Sequence, residues 1–160
     1  MRLTSLADYA VVMMAAAARH RAGERLSATL IAHETGVPLP TAQKLTGRLA
    51  AAGLLATSRG AGGGFRLART ARDISLADIV EAVEGPIALA TCVDMSRHDC
   101  ALEGACAVRP HMGIVNEVVR GALASVSLEQ LSRTPALPGE GRGPAVTPNW
   151  TPAFAGEQQV

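Results

Sequence analysis

The chain has 160 residues, a length typical of one domain with a short appendage. Hydrophobic residues make up 48% of it but aromatic residues only 2%, so the core must be built from Leu, Val, Ile and Ala. Three cysteines are too few, and odd in number, for a disulfide-stapled domain. The composition also excludes a collagen-like or wholly disordered chain.

The net charge of +1 hides an asymmetry between the two halves of the chain. Residues 1–72 carry ten Lys and Arg against three Asp and Glu, hence +7, whereas residues 73–160 carry five against eleven, hence −6. A basic N-terminal half is typical of a surface that binds a polyanion, although a solvated charged face gives the same count.

The apolar run from Tyr9 to Ala18 could belong to a signal peptide or to a membrane-spanning segment. The run has only ten residues, too short to span a bilayer, and Asp8 stands where a signal peptide would carry positive charge. Three unpaired thiols are typical of a reducing compartment. We therefore expect a cytoplasmic protein with no membrane partner.

Two helices are predicted first in the chain. Ser5, followed by Asp8 three residues on, is typical of a helix N-cap, and the Ala-rich stretch continues the helix to about Arg19. Ser27 is the predicted cap of a second helix, which ends at Gly36.

A third helix is predicted from Thr41 to Ala52, ending at Gly53. Leu45, Leu49 and Ala52 share one face of it. The residues left to face outward are polar or small: Thr41, Gln43, Lys44, Gly47 and Arg48. Two short helices with a tight connection and a polar second helix predict a helix-turn-helix.

Two short strands, Leu54 to Ser58 and Phe65 to Ala68, are predicted next, joined by the glycine-rich residues 59–64. A hairpin directly after a helix-turn-helix is a wing. The loop does not fit a phosphate-binding turn of a nucleotide fold, because no helix and no Lys-Ser/Thr pair follow it.

This order of elements predicts how duplex DNA would be contacted. Gln43 and Lys44, with Thr41 and Arg48 nearby, would meet bases and phosphates in the major groove. Arg59 at the base of the wing would enter the minor groove, whose negative potential favours arginine.

The second half of the chain begins with a capping box, Ser75 to Asp78, that opens a helix to Glu84. Pro110 fits the first turn of a long helix reaching about Val126. Its apolar stripe consists of Val115, Val118, Ala122 and Val126. Such a stripe is either ordinary core or a dimer interface.

Three regions follow from these elements. Residues 1–70 form a winged helix-turn-helix that binds DNA. Residues 71–132 hold a linker helix, a cysteine loop, the long dimerisation helix and one further turn. Residues 133–160, rich in Pro, Gly and small polar residues, form a disordered tail.

The three cysteines carry the strongest chemical signal, with seven residues between Cys92 and Cys100 and five between Cys100 and Cys106. Asp94, His98, Asp99 and Glu103 surround them. Three thiolates in a loop can converge on a soft metal centre or an iron-sulfur cluster. A thiol switch, inert cysteines, and a zinc site completed by His111 are the alternatives.

Catalytic motifs are missing from the sequence. No nucleophile elbow, HExxH or Walker motif occurs, so we expect a protein that is not an enzyme.

Several pieces of the sequence, in their order and spacing, resemble the IscR/NsrR/RirA-type family of winged-helix iron-sulfur regulators over about residues 1–132. These pieces are Met1-Arg2-Leu3-Thr4-Ser5, Asp8-Tyr9-Ala10-Val11, Gln43-Lys44-Leu45, Gly53-Leu54-Leu55, Ser58-Arg59-Gly60, Gly62-Gly63-Gly64-Phe65 and the three-cysteine loop. The resemblance implies a homodimeric bacterial transcription factor, often a repressor, that carries a 2Fe-2S or 4Fe-4S cluster. It also adds Arg2 and Gly60 to the expected DNA contacts.

The ligands of the cluster are where the chain departs from the family. IscR-like members have five residues between the first two cysteines, not seven, and a histidine where this chain has Arg109. Asp8 matches a carboxylate that nitric-oxide-sensing members supply across the dimer, and His33 matches a histidine of a redox-sensing relative. The resemblance thus implies Cys92, Cys100, Cys106 and Asp8 as ligands. The alternatives to Asp8 are His33, His111 and His98.

The sequence therefore predicts a mainly α, winged helix-turn-helix dimer with a two-stranded β-wing and a long C-terminal dimerisation helix. The predicted function is cluster-dependent regulation of iron-sulfur assembly or iron homeostasis genes, through an operator in double-stranded DNA. A cluster-free thiol or nitric-oxide sensor is the alternative on the same fold. A metal-binding enzyme or electron carrier is the alternative from a different class.

Overall fold

A computed structural model of the chain describes residues 3–58, 60, 63–93, 100 and 105–133. Within these residues the fold is mainly helical, with one two-stranded antiparallel sheet. The elements are α1 (Ser5–Arg19), α2 (Ala28–Thr35), α3 (Leu39–Ala51), β1 (Leu55–Ser58), β2 (Gly64–Leu67), α4 (Leu76–Glu84), α5 (Arg109–Ala124) and α6 (Leu128–Ser132). The predicted disordered tail lies outside the described residues from position 134 onward.

Helix α1 lies at the centre of the fold and packs against α2, α3, α4 and α6. Ala10, Met14 and Ala16 on this helix are buried, and their small or flexible side chains let the neighbouring helices approach closely. The predicted cap was wrong by one residue. Thr4, not Ser5, is the N-cap, and its hydroxyl accepts from the Ala7 amide at 3.2 Å.

The connection between α2 and α3 is the tight turn that a helix-turn-helix requires. Ser27 caps α2, and Gly36 ends it in the left-handed region at φ 73°. The side chain of Val37, only 4% exposed, anchors the turn in the core. Helix α3 begins at Leu39, two residues earlier than predicted.

The buried face of α3 also differs from the prediction at one position. Ala42, Leu45 and Leu49 are fully buried, whereas Ala52 is exposed as the residue that ends the helix. Because Ala52 already lies at the C-cap, the Leu45 and Leu49 periodicity does not carry on to it.

The wing is the antiparallel pair β1 and β2. Strand β1 begins one residue later than predicted and ends at Ser58 as predicted, whereas β2 begins and ends one residue earlier than predicted. Leu26 pairs with the free edge of β2 and so adds a third row to the sheet, which we call the Leu26 row. Its amide donates to the Phe65 carbonyl, and its carbonyl accepts from the Phe65 amide, each at 2.8 Å. A Cβ at Gly64 would lie within 3.0 Å of the Leu26 carbonyl oxygen, so this row needs glycine there.

The predicted capping box is confirmed at the start of α4, where the Ser75 amide donates to the Asp78 carboxylate at 2.8 Å and the Asp78 amide donates to the Ser75 hydroxyl at 3.1 Å. The chain entering α4 pairs with the chain entering α6. Leu76 donates to the Val126 carbonyl at 2.8 Å, and Leu128 donates to Ile74 at 2.7 Å. These bonds hold the completely buried Leu128 in the core.

Helix α5 ends at Ala124, two residues before the predicted end at Val126. Val126 lies in the connection to α6, where it is half-buried and its carbonyl accepts a hydrogen bond from the Leu76 amide. Helix α5 packs against α4 and against the short turn Thr91–Val93. None of the described helices has the length and apolar character needed to cross a membrane.

Candidate functional site

Helix α3 presents the polar face expected of a recognition helix. Gln43 and Lys44 are exposed, and Thr41 is half-buried at the start of the helix. In the described part of the chain, no hydrogen bond or ion pair involves the side chain of Gln43 or Lys44. These two side chains are therefore available to a ligand, whereas the opposite face of α3, with Ala42, Leu45 and Leu49, is buried in the core.

Arg48, a predicted DNA contact, has a partner inside the protein. Its Nη1 donates to the carbonyl oxygen of Val83, in the last turn of α4, at 2.7 Å. Carbonyl groups at a helix C-terminus have no partner within the helix and carry partial negative charge, which a guanidinium satisfies. Arg48 thus joins α3 to α4, a role that the local sequence pattern did not reveal.

The described part of the wing loop contains a glycine turn between Gly60 and Gly63. Gly60 is exposed at φ 101°, a left-handed conformation that favours glycine, and its carbonyl accepts from Gly63 at 2.8 Å. Arg59 and Arg2, the other predicted contacts of this region, lie outside the described residues.

The C-terminal turn of α4 is a junction that several elements share. Besides Arg48 from α3, the N-cap of α1 reaches it, because the amide and hydroxyl of Thr4 both donate to the Glu84 carboxylate. Helix α5 reaches it through Arg120, which forms two bonds of 2.8 and 3.0 Å to Glu81. These bonds raise the pKa of Arg120 above its usual value. We call this turn and its partners the α4 junction.

Asn116 of α5 holds the chain that leads from the α4 junction to the first cysteine. Its amide nitrogen donates to the Ile87 carbonyl at 3.0 Å, and its oxygen accepts from the Leu89 amide at 3.0 Å. Asn116 is the buried polar residue of the described core, 9% exposed, and both halves of its amide are satisfied. The sequence pattern did not mark it, because a lone asparagine in a helix carries no periodic signal.

The three cysteines are free and half-buried. Cys92 lies in the turn Thr91–Val93, and Cys106 lies just before α5. Thiol donors are what iron-sulfur clusters take, so the donor chemistry fits such a group. Among the described residues of one protomer, no three His, Cys, Asp or Glu side chains are grouped closely enough to hold a metal ion. The acidic and histidine residues at positions 94–99 and 103 lie outside the described part.

The candidate fourth ligands lie apart on the surface. Asp8 is exposed in the first turn of α1, and His33 is exposed in the last turn of α2. His111 is exposed in the first turn of α5, whereas His98 lies outside the described residues. The described residues do not bring any of the three into a metal-binding group with the cysteines.

Two helices keep apolar faces uncovered. On α5, Ile114, Val115 and Val118 are 64, 45 and 66% exposed, so the predicted stripe is not core of the protomer. Ile114 was missing from that stripe. On α1, Tyr9 and Val12 are 37 and 39% exposed on the face that also carries Asp8.

Comparison with known proteins places these features in one family. The model of the Rrf2 family, described as an iron-dependent transcriptional regulator, matches residues 3–134. The chain is 31% identical to the HTH-type transcriptional regulator IscR of Photorhabdus laumondii over 131 residues, 82% of this chain and 79% of that protein. It is 32% identical to the HTH-type transcriptional repressor NsrR of Streptomyces coelicolor over 139 residues, 86% of this chain and 93% of that protein.

Solved structures agree with this grouping. CymR, the global cysteine regulator of B. subtilis, superposes with a TM-score of 0.63 at 25% identity, covering 82% of this chain and 96% of that one. The oxidized form of Staphylococcus aureus CymR gives 0.61 at 25% identity, covering 84 and 98%. IscR of T. potens gives 0.60 at 27% identity, covering 82 and 85%.

Proposed function

Because this chain belongs to the Rrf2 family of transcriptional regulators, we propose that it binds operator DNA as a homodimer and that an iron-sulfur cluster controls this binding. Membership of the family confirms the predictions of a winged-helix regulator and of a protein that is not an enzyme. The observation that carries the proposal is the α4 junction. Through Arg48 it joins α3 to the last turn of α4, and the chain that leaves this turn leads to Cys92.

DNA recognition is assigned to α3 and the wing. The exposed amide of Gln43 suits bidentate bonding to adenine, and Lys44 suits guanine or a phosphate. The glycine turn at Gly60 lets the wing backbone approach the duplex closely. Thr41, Arg48, Arg59 and Arg2 complete the proposed contact set, with Arg48 also holding α4.

Dimerisation is assigned to the exposed face of α5. Ile114, Val115 and Val118 form an apolar surface that water would otherwise cover, and burying it against a second copy is favourable by about 25 cal/mol for each Å² removed from water. Two protomers related by a two-fold axis would present their recognition helices roughly 34 Å apart, one turn of DNA. A palindromic operator follows from that symmetry.

The cluster is assigned to Cys92, Cys100 and Cys106, with Asp8 of the partner subunit as the fourth ligand. Asp8 lies beside the exposed Tyr9 and Val12, so a partner that covers this face of α1 would also cover Asp8. When bound, the cluster would link the cysteine segment to α1 of the partner subunit, and iron limitation, oxidants or nitric oxide would break this link. The alternative ligands are His33, His111 and His98.

A route from the cysteines to the DNA-binding face runs through described contacts. Asn116 fixes the backbone at Ile87 and Leu89, just before Cys92. The same chain segment leaves the α4 junction, where Arg48 of the recognition helix binds Val83. Movement of the cysteine segment would therefore reach α3 through few bonds, and a two-state switch requires contacts that differ between its states.

The proposal is tested with protein purified anaerobically and duplexes selected from a random library. We expect a palindromic consensus, visible absorption with matching iron and sulfide contents, and a change in DNA affinity when the cluster is removed. The Cys92→Ala, Cys100→Ala, Cys106→Ala triple variant should lose the absorption and the change in affinity. Iron and sulfide retained by that variant would refute the cysteine assignment.

The fourth ligand is tested in the same preparation by single alanine variants of Asp8, His33, His98 and His111. We expect only Asp8→Ala to alter the visible spectrum of the reconstituted protein. A spectrum altered only by a histidine variant would refute the assignment of Asp8.

A cluster-free thiol sensor is the second candidate, favoured by the three free, half-buried cysteines and by the likeness to an oxidized regulator of known structure. This function predicts a protein without iron or sulfide. Its mass should change on mild oxidation, and a reductant should restore both the mass and the DNA affinity.

A further inference from the structure

The first turn of α3 is apolar and exposed, unlike the polar turn that follows it. Leu39, the first residue of the helix, is 38% exposed, and the adjacent Pro40 is also exposed. The exposed amide of Gln43 lies four residues beyond Leu39, a spacing that places both side chains on the same side of the helix. Leu39 therefore belongs to the surface that α3 presents to a ligand.

This turn offers few of the backbone donors that usually make a helix N-terminus attractive to an anion. Pro38 at the N-cap and Pro40 at the second helical position have no N–H, and among the described residues no side chain caps the helix. The Ala42 amide is already engaged, because it donates to the Pro38 carbonyl at 2.9 Å. A phosphate is thus a poor match for this turn, whereas an apolar group is a good one.

The chemistry of the major groove offers one partner for such a leucine. The base edges there are hydrogen-bond donors and acceptors, and the apolar group among them is the C5-methyl of thymine. In helix-turn-helix proteins the N-terminal residues of the recognition helix are those that contact base edges. Leu39, at the first position of α3, lies at that end of the helix.

Charge favours DNA over an apolar protein partner as the occupant of this surface. Residues 1–72 carry +7, and Lys44 is exposed on the next turn of α3. Such a surface attracts a polyanion, whereas an apolar protein face placed over Lys44 would strip its ammonium group of water. Leu39 and a thymine methyl both lose contact with water when they meet, so the contact favours duplexes that carry thymine at this position.

We propose that Leu39 recognises thymine by packing against its C5-methyl group in the major groove, near the base that Gln43 contacts. The inference rests on the proposed DNA-binding function and adds an apolar specificity contact to the polar contacts of Gln43 and Lys44. Four helical residues span about 6 Å and base pairs stack about 3.4 Å apart. The operator should therefore carry a thymine within about two base pairs of the base that Gln43 contacts.

Uracil tests the contact directly, because it differs from thymine only in lacking the C5-methyl group. Each thymine of the selected operator half-site is replaced in turn by uracil, and fluorescence anisotropy measures the affinity of the wild type and of Leu39→Ala. At one thymine, uracil should weaken wild-type binding by about fourfold for each half-site, the factor expected for one methyl group withdrawn from an apolar contact. In Leu39→Ala the same replacement should cost less than about twofold, the limit within which independent changes add.

Leu30→Ala is the matched control, because Leu30 is also 38% exposed but lies on α2. This variant should keep the wild-type response to uracil. Leu39→Met should also keep it, since methionine is apolar and similar in volume to leucine. The thymine and uracil duplexes are compared with the same protein, so an effect of a substitution on folding cancels in the ratio of the two affinities.

Three outcomes would overturn the inference. Equal responses of the wild type and Leu39→Ala to uracil at every thymine would exclude a methyl contact. Equal responses together with a lower melting temperature for Leu39→Ala would assign the residue to the packing of α3. A monomeric Leu39→Ala in light scattering would assign it to a protein interface. Failure of the wild type to bind any duplex would instead refute the proposed function.

Discussion

Replacement of Gly64 by alanine tests how the wing is attached to the rest of the domain. The new methyl group would lie within 3.0 Å of the Leu26 carbonyl oxygen, a backbone atom that cannot move aside like the end of a flexible side chain. Relief of the clash requires the Leu26 row to separate from β2. Both bonds between Leu26 and Phe65, each 2.8 Å, would then be lost or stretched.

The magnitude follows from those contacts. Each backbone hydrogen bond contributes about 0.5 to 1.5 kcal/mol net, so two bonds account for roughly 1 to 3 kcal/mol. Residual strain from the extra methyl group adds about 1 kcal/mol. We therefore expect Gly64→Ala to lower the free energy of unfolding by about 2 to 4 kcal/mol.

Urea unfolding followed by circular dichroism at one fixed protein concentration measures this effect. Gly47→Ala is the control, because a Cβ at Gly47 meets nothing within 4 Å and the residue lies inside α3. Its helix propensity should raise stability by roughly 0.5 to 1 kcal/mol. Equal stability changes for the two variants would show that the Leu26 row does not hold the wing.

Three further outcomes are expected. Val118→Asp should convert the dimer to a monomer in light scattering, whereas Glu117→Ala should leave it dimeric; a dimeric Val118→Asp would exclude the α5 interface. Asn116→Ala should lower stability by about 1 to 3 kcal/mol for two lost bonds and reduce the cluster-dependent change in DNA affinity, and an unchanged response would exclude the route through α5. Hydrogen bonds from Arg72 and Arg133 lower the pKa of Glu129 below its ordinary 4.5, so its contribution is present above that pH and lost as the pH falls through the lowered pKa. The melting temperature of Glu129→Gln should therefore be below that of the wild type near about pH 7, and the difference should shrink as the pH falls through the lowered pKa of Glu129.

The sequence alone determined most of the helices, because their ends depend on neighbouring residues. Ser27 and the Ser75 to Asp78 box satisfy amides only three residues away, and Gly36 takes a left-handed conformation that other residues avoid. Each of these signals depends only on residues within about one helical turn of the cap. The spacing of Leu45 and Leu49 likewise marked the buried face of α3 before any neighbouring element was known.

Tertiary structure decided the features that depend on distant residues. Thr4 caps α1 in preference to Ser5 where it also bonds to Glu84, 80 residues away. Arg48 resembled a free surface arginine until α4 supplied the Val83 carbonyl, and Asn116 had no signal until it met Ile87 and Leu89. A hydrogen bond forms only when two groups meet in space, and the folded path of the chain alone determines which distant groups do so.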